Sequence, residues 1–335
     1  MISVIIPVYR GKELLEKAVR SVQGQSCGDW ELILVDDGSP DGCGPVCDRL
    51  AGADGRIRVF HQENRGVSRA RNLGLSKAAG EYVFFLDADD FIAPETLEAL
   101  LAALEKSGAD TAGCGVRYVD EQGREGIAEP PILPAGVYDH PDILERVVDR
   151  LAGDRLSQPP LNGYVVRFLF PRRLLEGLEF QGAYLEDELF LMEYFTRPQR
   201  LVTVEDAFYH YYWNPNSATH RYMPGYLDTF HAFLAAKEQV VRERGLEERS
   251  PLWRENTCWA GLLIAVSNEF APGNGHTLRE QKKRVRELVA LPEMAQAMAR
   301  LRPEGMGRNK QLVADLLRRR WFGLLALLYR AKNRG

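Results

Sequence analysis

Three aspartates, Asp87, Asp89 and Asp90, stand together at the end of one apolar segment, the run YVFFL at residues 82–86. An unbroken apolar run of this length predicts a buried strand. Like charges this close repel one another unless a cation neutralises them. Carboxylate oxygens suit Mg²⁺ or Mn²⁺, and both ions share their coordination with phosphate oxygens. We therefore interpret Asp89 as a ligand of a divalent metal that is bound together with a nucleotide diphosphate. Taken alone, an Asp-x-Asp pair is more often a solvated acidic loop.

Strand and helix patterns alternate along the first 108 residues. Short apolar, β-branched runs predict strands, and apolar residues at helical spacing predict helices. The predicted strands are ISVIIPVY, WELILVDDGS, RIRVFHQ and EYVFFLDADD, and the predicted helices are GKELLEKAVRSVQGQ, GVSRARNLGLSKAAG (Ser68 to Gly80) and PETLEALLAALEKSG (Pro94 to Gly108). This alternation predicts an α/β fold with a mainly parallel sheet that has helices on both faces.

A second pair of carboxylates, Asp36 and Asp37, ends the second predicted strand. The carboxyl ends of parallel strands meet at one edge of the sheet, and ligands of open α/β sheets bind in the crevice outside that edge. We therefore expect both acidic groups to converge on one crevice.

The rest of the chain has a less regular pattern up to about residue 215. Strands are predicted in DTAGCGVRYV and GYVVRFLF, and a loop is predicted at 129–136. After Pro224 the pattern is almost entirely helical, with predicted helices at 226–244, 251–270, 277–299 and 310–332.

The composition excludes several classes of protein. The net charge of −4 provides no basic field for nucleic acid. Five dispersed cysteines indicate a reducing, cytoplasmic location, and their spacing does not favour a zinc site. The N-terminus lacks the pattern of a signal peptide, and no apolar run is long enough to predict a transmembrane helix.

Four stretches of the sequence carry a family resemblance. VIIPVYRGKELLEKAVRSVQGQS, WELILVDDGSPDG, ENRGVSRARNLGLSKAAGEYVFFLDADD and YLEDELF occur in this order. Together they closely resemble the family 2 glycosyltransferases, inverting enzymes with the GT-A fold. The resemblance implies a catalytic domain at 1–224, with a nucleotide-sugar-binding part at 1–108 and an acceptor-side part at 109–224, followed by a helical region at 225–335.

The same resemblance implies an activity. The enzyme would transfer a hexosyl or N-acetylhexosaminyl group from a nucleotide-diphosphate sugar. The expected donor is a UDP-sugar, and the expected cofactor is Mn²⁺ or Mg²⁺. The acceptor would be a glycan or a lipid-linked glycan, as in the biosynthesis of bacterial exopolysaccharides and other cell-envelope polysaccharides.

The resemblance also assigns roles around the nucleotide sugar. The nucleoside would lie against the loop after the first strand, and Asp37 would accept a hydrogen bond from its base, which is physically sensible because a bond to an ionised carboxylate is charge-assisted. Asp36 could equally be a turn residue. The metal would be held by Asp89 with Asp87. The residues expected at the nucleotide sugar are Pro7, Val8, Tyr9, Asp37, Asn64, Gly66, Arg71, Asp87 and Ala88, with Arg71 at the pocket rim.

The acid pair in YLEDELF matches the position of the family's general base. Inverting transfer needs a base to take the proton of the attacking acceptor hydroxyl. Asp187 is the expected base, and Glu186 would hold the acceptor or orient Asp187. Without the other motifs, two acids in a first helical turn would be explained by the helix dipole.

The segment YHYYWNPNSATH differs from the family pattern. Many relatives have an arginine followed by a serine here, on a segment that closes over the diphosphate, whereas this chain has Asn214 and Asn216 before Ser217. His210 and His220 could contact phosphate or metal, although a lone histidine is more often structural. Asp90 could cap the turn into the next helix.

The last segment, 310–332, combines arginines with aromatic and leucine residues. A basic helix of this kind can lie in a membrane interface and attract anionic lipid, which would place the protein peripherally at the inner face of the membrane. The alternative is a helix that packs on the catalytic domain or in a homodimer, with its cations in water.

Two other functions remain compatible with an acidic α/β site. A sugar nucleotidyltransferase would normally have a glycine-rich, basic phosphate loop after the first strand, and PVYRGKE is not such a loop. A non-catalytic subunit of glycan assembly would not need Asp37, Asp87, Asp89 and Asp187 all to be retained.

Overall fold

The computed structural model describes residues 1–120, 122–153, 161, 163–182, 184–213, 222–301 and 306–332. The chain forms two compact units. The first unit comprises Met1–Val148 and Asn162–Asn214, and the second comprises Asp149–Leu161 and Pro215–Gly335. The predicted division into nucleotide-sugar-binding and acceptor-side parts stays a prediction.

The first unit is built on two sheets. In chain order the strands are β1 Ile2–Val8, β2 Trp30–Asp36, β3 Ile57–His61, β4 Tyr82–Phe85, β5 Phe91–Ile92, β6 Thr111–Gly113, β7 Val116–Val119, β8 Glu125–Glu129, β9 Gly136–Tyr138, β10 Phe168–Pro171, β11 Leu201–Thr203 and β12 Tyr209–Tyr212. The larger sheet has the order β3-β2-β1-β4-β10-β6-β11-β9, and the smaller one has the order β5-β12-β7-β8.

The four strands β1 to β4 form a parallel block. Strand β1 lies between β2 and β4 and is parallel to both, with Ile2 opposite Trp30 and Tyr82. Strand β3 continues the block beyond β2, whereas β10 is antiparallel to β4 and β6. Because β1, β2 and β4 run in the same direction, the carboxylates that follow them lie at one sheet edge.

Helices accompany these strands. Those of the first unit are α1 Lys12–Gln23, α2 Cys43–Ala53, α3 Val67–Lys77, α4 Thr96–Ser107, α5 His140–Ile143 and α7 Glu186–Phe195. The expected α/β class, with a large sheet flanked by helices, is confirmed. Helix α2 has no counterpart in the sequence-based prediction, because two glycines and a proline in CGPVCDRLAGA hide its helical pattern.

Two predicted strands of the first unit need correction. DTAGCGVRYV is split into β6 and β7, which belong to different sheets. The split falls at Cys114 and Gly115, where a Cβ on Gly115 would approach the Glu129 carbonyl oxygen to 2.8 Å. In GYVVRFLF only the last residues join β10, because residues 165–167 form a helical turn.

The second unit is helical, as predicted. Its helices are α6 Asp149–Gly153, α8 Tyr226–Glu243, α9 Trp253–Glu269, α10 Leu278–Leu288, α11 Pro292–Arg300, α12 Arg308–Arg318 and α13 Phe322–Lys332. Trp259 is fully buried and donates its indole N–H to the Ala297 and Leu301 carbonyls at 3.0 and 3.1 Å. Within the described ranges, no helix is long and apolar enough to cross a bilayer.

Two long predicted helices of this unit are each divided. The one at 277–299 ends at Leu288 and restarts at Pro292, which cannot donate an intrahelical hydrogen bond but fits a first turn. The one at 310–332 is interrupted between α12 and α13, where Arg320 has a φ of 55°. A left-handed residue cannot continue an α-helix.

Candidate active site

The carboxyl-end edge of β1, β2 and β4 brings together most of the predicted site residues. Pro7 and Val8 are the last residues of β1, and Tyr9 follows them. The Val8 side chain is fully buried, so it cannot lie against a nucleoside as predicted, whereas Tyr9 is exposed. Of these three side chains, Tyr9 offers the largest accessible surface beside the edge.

Asp37 anchors the turn after β2. Its carboxylate accepts hydrogen bonds from Gln62 Nε2 at 2.7 Å and from the backbone N–H groups of Arg65 and Gly66 at 2.8 Å each. The residue is only 2% exposed. Asp37 therefore holds the loop that leads into α3, a contact set that the sequence did not reveal.

The turn after β2 packs tightly against the loop that Asp37 holds, and a side chain at Gly38 would not fit between them. Gly38 has a φ of 65°, and a Cβ there would come within 2.9 Å of the Asn64 backbone nitrogen. Asn64 itself is exposed, and Gly66, with a φ of 86°, directly precedes α3. Asp36 accepts from Ser39 N and pairs with His61 Nδ1, both at 3.0 Å, as the alternative turn role predicts.

The centre of the site is Arg71, on α3. Its guanidinium bonds Asp87 at 2.9 Å, Glu186 at 3.1 Å and Asp187 at 2.7 Å. Burial alone would lower the pKa of Arg71, but the three carboxylates raise it above its ordinary value. Arg71 is 3% exposed, which differs from its predicted place at the pocket rim.

Asp187 lies in the first turn of α7. One carboxylate oxygen bonds Arg71, and the other accepts the Val165 backbone N–H at 3.1 Å. Burial raises the pKa of Asp187 to about 7, although the nearby Arg71 charge opposes the rise. Leu185, which directly precedes α7, has a φ of 54°, a strained conformation that costs about 1–3 kcal/mol.

The three aspartates after β4 have different partners. Asp87 is paired with Arg71, whereas Asp90 is buried and accepts hydrogen bonds from the Tyr209 hydroxyl and, at 2.8 Å, from the Tyr212 N–H. Burial raises the pKa of Asp90 well above its ordinary value. Asp90 thus anchors β12 and does not cap a helix.

The expectation that a metal neutralises all three aspartates also needs correction, since two of them have protein partners.

Asp89 is the remaining carboxylate, and Ala88 beside it is half-buried. Among the described residues, no side chain pairs with Asp89. Burial and the neighbouring Asp87 raise the pKa of Asp89 to about 6. An unpaired, partly buried carboxylate fits a divalent cation. Within the described part of the chain, however, no group of three His, Cys, Asp or Glu side chains could hold a metal by itself.

Strand β12 has two distinct sides. Tyr209 faces the aspartates, whereas His210 on the opposite side packs against Phe91, with the ring centroids 4.7 Å apart and the rings tilted by 56°. Burial lowers the pKa of His210. His210 is therefore a packing residue and does not reach Asp90 or Asp87 as Tyr209 does. His220, Asn214, Asn216 and Ser217 lie outside the described residues.

Comparisons with solved structures support the fold. TarS 1–349 of S. aureus in complex with UDP-GlcNAc superposes with a TM-score of 0.63 at 20% identity, covering 100% of this chain and 92% of that one. The mannosyltransferase PcManGT of Pyrobaculum calidifontis, in complex with GDP-Man and Mn²⁺, gives a TM-score of 0.53 at 17% identity, covering 100% of this chain and 88% of that one. These superpositions support the GT-A class of fold for this chain.

Sequence relatives agree with this class. An uncharacterized glycosyltransferase, EpsJ of Bacillus subtilis, is 28% identical over 99% of this chain and 96% of its own length. The glycosyltransferase GlyG of Streptococcus pneumoniae is 29% identical over 63% of this chain and 70% of its own length. Residues 3–155, the N-terminal part of the chain, match the family model "Glycosyl transferase family 2".

The role of Arg71 can be tested through stability. Arg71→Met should lower the free energy of unfolding by about 3–5 kcal/mol near neutral pH, because it leaves buried carboxylates without their cation. Without Arg71 the folded-state pKa of Asp187 rises further, and a raised carboxyl pKa makes stability fall as pH rises. The deficit should therefore be larger at about pH 8 than at about pH 5 in urea unfolding.

The matched control for this variant is Arg69→Met, on the exposed side of the same helix. It should change the free energy of unfolding by no more than about 0.5 kcal/mol. Equal effects of the two substitutions would contradict the central position of Arg71.

Proposed function

We propose that this glycosyltransferase transfers a hexosyl or N-acetylhexosaminyl group from a UDP-sugar to a hydroxyl of a glycan or lipid-linked glycan, with inversion at the anomeric carbon. Such a reaction would serve the synthesis of a bacterial cell-surface polysaccharide. The observation that carries the proposal is the Arg71 contact set, which joins the acid pair of α7 to Asp87 after β4. TarS in complex with UDP-GlcNAc and PcManGT in complex with GDP-Man and Mn²⁺ support a nucleotide-sugar donor.

The proposed chemistry is a single displacement. The acceptor oxygen forms a bond to the anomeric carbon while the bond from that carbon to the diphosphate oxygen breaks, and the electron pair leaves with the diphosphate. Asp187 takes the proton of the acceptor hydroxyl. Arg71 and the Val165 N–H fix the orientation of Asp187. Glu186, on the same guanidinium, would accept a hydrogen bond from the acceptor.

Asp89, together with Asp87, would hold the divalent ion, Mn²⁺ or Mg²⁺. When bound, such an ion supplies positive charge to the departing diphosphate. The unpaired state of Asp89 among the described residues supports this assignment, and the Arg71 bond leaves one oxygen of Asp87 available.

Substitution at Asp89 tests the metal assignment. Asp89→Asn should weaken Mn²⁺-dependent UDP binding by about 10–100-fold, since a charged contact contributes about 1.5–3 kcal/mol. Titration calorimetry with and without Mn²⁺ measures this effect. The exposed Asp142→Asn serves as the control. UDP affinity that depends on Mn²⁺ as strongly in Asp89→Asn as in the parent would exclude Asp89 as a ligand.

Substitution at Asp187 tests the base. Asp187→Asn should leave UDP binding nearly unchanged and slow sugar transfer by about 10²–10⁴-fold, the usual contribution of a general base. Transfer by the parent should fall as the pH drops below the Asp187 pKa of about 7, because protonated Asp187 cannot accept a proton.

The matched comparison is Glu186→Gln, which keeps the base. It should retain the pH dependence of the parent even where its rate is reduced. If Asp187→Asn transfers sugar at the parent rate and Glu186→Gln does not, the base is Glu186.

Tyr164 is the proposed contact for the acceptor sugar. It is 37% exposed and directly precedes Val165, whose N–H binds Asp187. Its ring also lies 5.5 Å from the guanidinium carbon of Arg167, which is buried and paired with Glu129. An accessible aromatic face beside the base can stack on a sugar ring.

Tyr164→Ala should raise the KM for the acceptor by about 2–13-fold, given about 0.5–1.5 kcal/mol for an aromatic contact. Donor hydrolysis without acceptor should stay at the parent rate, and Tyr164→Phe should restore most of the acceptor affinity. An unchanged acceptor KM in Tyr164→Ala would refute the contact.

A further inference from the structure

Helix α13 has apolar residues on two sides. One side is packed within the second unit: Phe322, Leu325, Ala326 and Tyr329 are all buried, and the Tyr329 ring stacks on Phe270 at 5.0 Å between centroids. This side explains the stability of the helix in the unit. Packing within the unit does not explain why the other side of the helix is also apolar.

The second side forms an exposed apolar stripe. Trp321 is 48% exposed, Leu324 is 51% exposed and Leu327 is 60% exposed. Leu324 and Leu327 are three residues apart and lie on one side of α13, and Trp321 directly precedes the helix. A helix that is apolar on all sides is normally covered on all sides. The stripe therefore has the character of a binding surface.

The charge around the stripe is strongly positive. Residues 306–332 contain one acidic side chain, Asp315, and seven basic ones, whereas the whole chain has a net charge of −4. The Arg319 guanidinium carbon lies 5.1 Å from the centre of the Trp321 ring. Arg320 and Arg330 are exposed at the two ends of the stripe, and within the described residues neither forms an ion pair. The basic residues are Arg308, Lys310, Arg318, Arg319, Arg320, Arg330 and Lys332.

We propose that this basic-apolar face, defined by Trp321, Leu324 and Leu327 with Arg319, Arg320 and Arg330, docks on a bilayer surface that contains anionic lipids. Tryptophan favours the headgroup level of a bilayer, and leucines can enter the acyl boundary below it. Arginines at this depth meet lipid phosphates, which attract them electrostatically.

A second copy of the chain fits this face less well than lipid does. In a two-fold symmetric dimer the same patch meets itself, so arginines would face arginines across the interface. Like charges placed against each other oppose such an association. An anionic lipid surface has the opposite charge and imposes no such repulsion. The proposal does not depend on the donor or on the transfer reaction.

Vesicle sedimentation of the full-length protein tests the proposal. The chain should co-sediment with vesicles of phosphatidylcholine and phosphatidylglycerol at about 20 mM salt, and much less with phosphatidylcholine alone. Raising the salt to about 500 mM should release most of it, because exposed charges are then screened within a few ångströms.

Two variants separate the apolar and the charged contributions. Trp321→Ala with Leu324→Gln and Leu327→Gln, and separately Arg320→Ala with Arg330→Ala, should each reduce the bound fraction at least severalfold. All five residues are exposed, so the melting temperature should stay close to that of the parent. Ile127→Gln, at an 82% exposed apolar residue, and Lys106→Ala with Arg242→Ala, at exposed cations elsewhere, are the controls and should bind like the parent.

Three results would overturn the proposal. The first is no binding of the parent to the anionic vesicles at low salt. The second is binding that both face variants retain in full. The third is a dimer of the parent, measured by light scattering, that the apolar variant converts to a monomer; the face would then be a self-association surface.

Discussion

The buried guanidinium of Arg71 is the interaction on which the site depends. Three carboxylates from two distant segments meet there, and without a cation they would repel one another at the end of a hydrophobic core. The planar guanidinium can bond several oxygens at once, which an ammonium group cannot match geometrically. Helix α3 thereby fixes both the start of α7 and the turn after β4.

Carboxylates carry out two kinds of task around this centre. Asp37 and Asp90 are buried and fully engaged with protein donors, so they shape the loops at the sheet edge. Asp187 is held by a single cation and one backbone N–H, and it keeps a pKa near the physiological range. Asp89 has no side-chain partner among the described residues. The division between structural acids and the acids that we propose as base and metal ligand therefore follows from their partners, and residue type does not reveal it.

The sequence predicted most of the alternating core of the fold, because β1 to β4 have unbroken apolar runs and α1, α3 and α4 have clear helical spacing, which α2 lacks. It predicted the convergence of Asp36, Asp37 and the aspartates after β4 for the same reason. It could not show that Arg71 lies between Asp87 and Asp187, since these residues are 16 and 116 positions away along the chain. The partners of Asp90 and the burial of Val8 were equally invisible, because both depend on tertiary packing.

A double-mutant cycle between Arg71 and Asp187 tests the central claim most directly. The free energy of unfolding is measured for the parent, for Arg71→Met, for Asp187→Asn and for the double variant. If the guanidinium and the carboxylate interact as described, the two losses will fall short of additivity by about 1–3 kcal/mol. Losses that add to within about 0.5 kcal/mol would show that the two groups are energetically independent and would contradict the account.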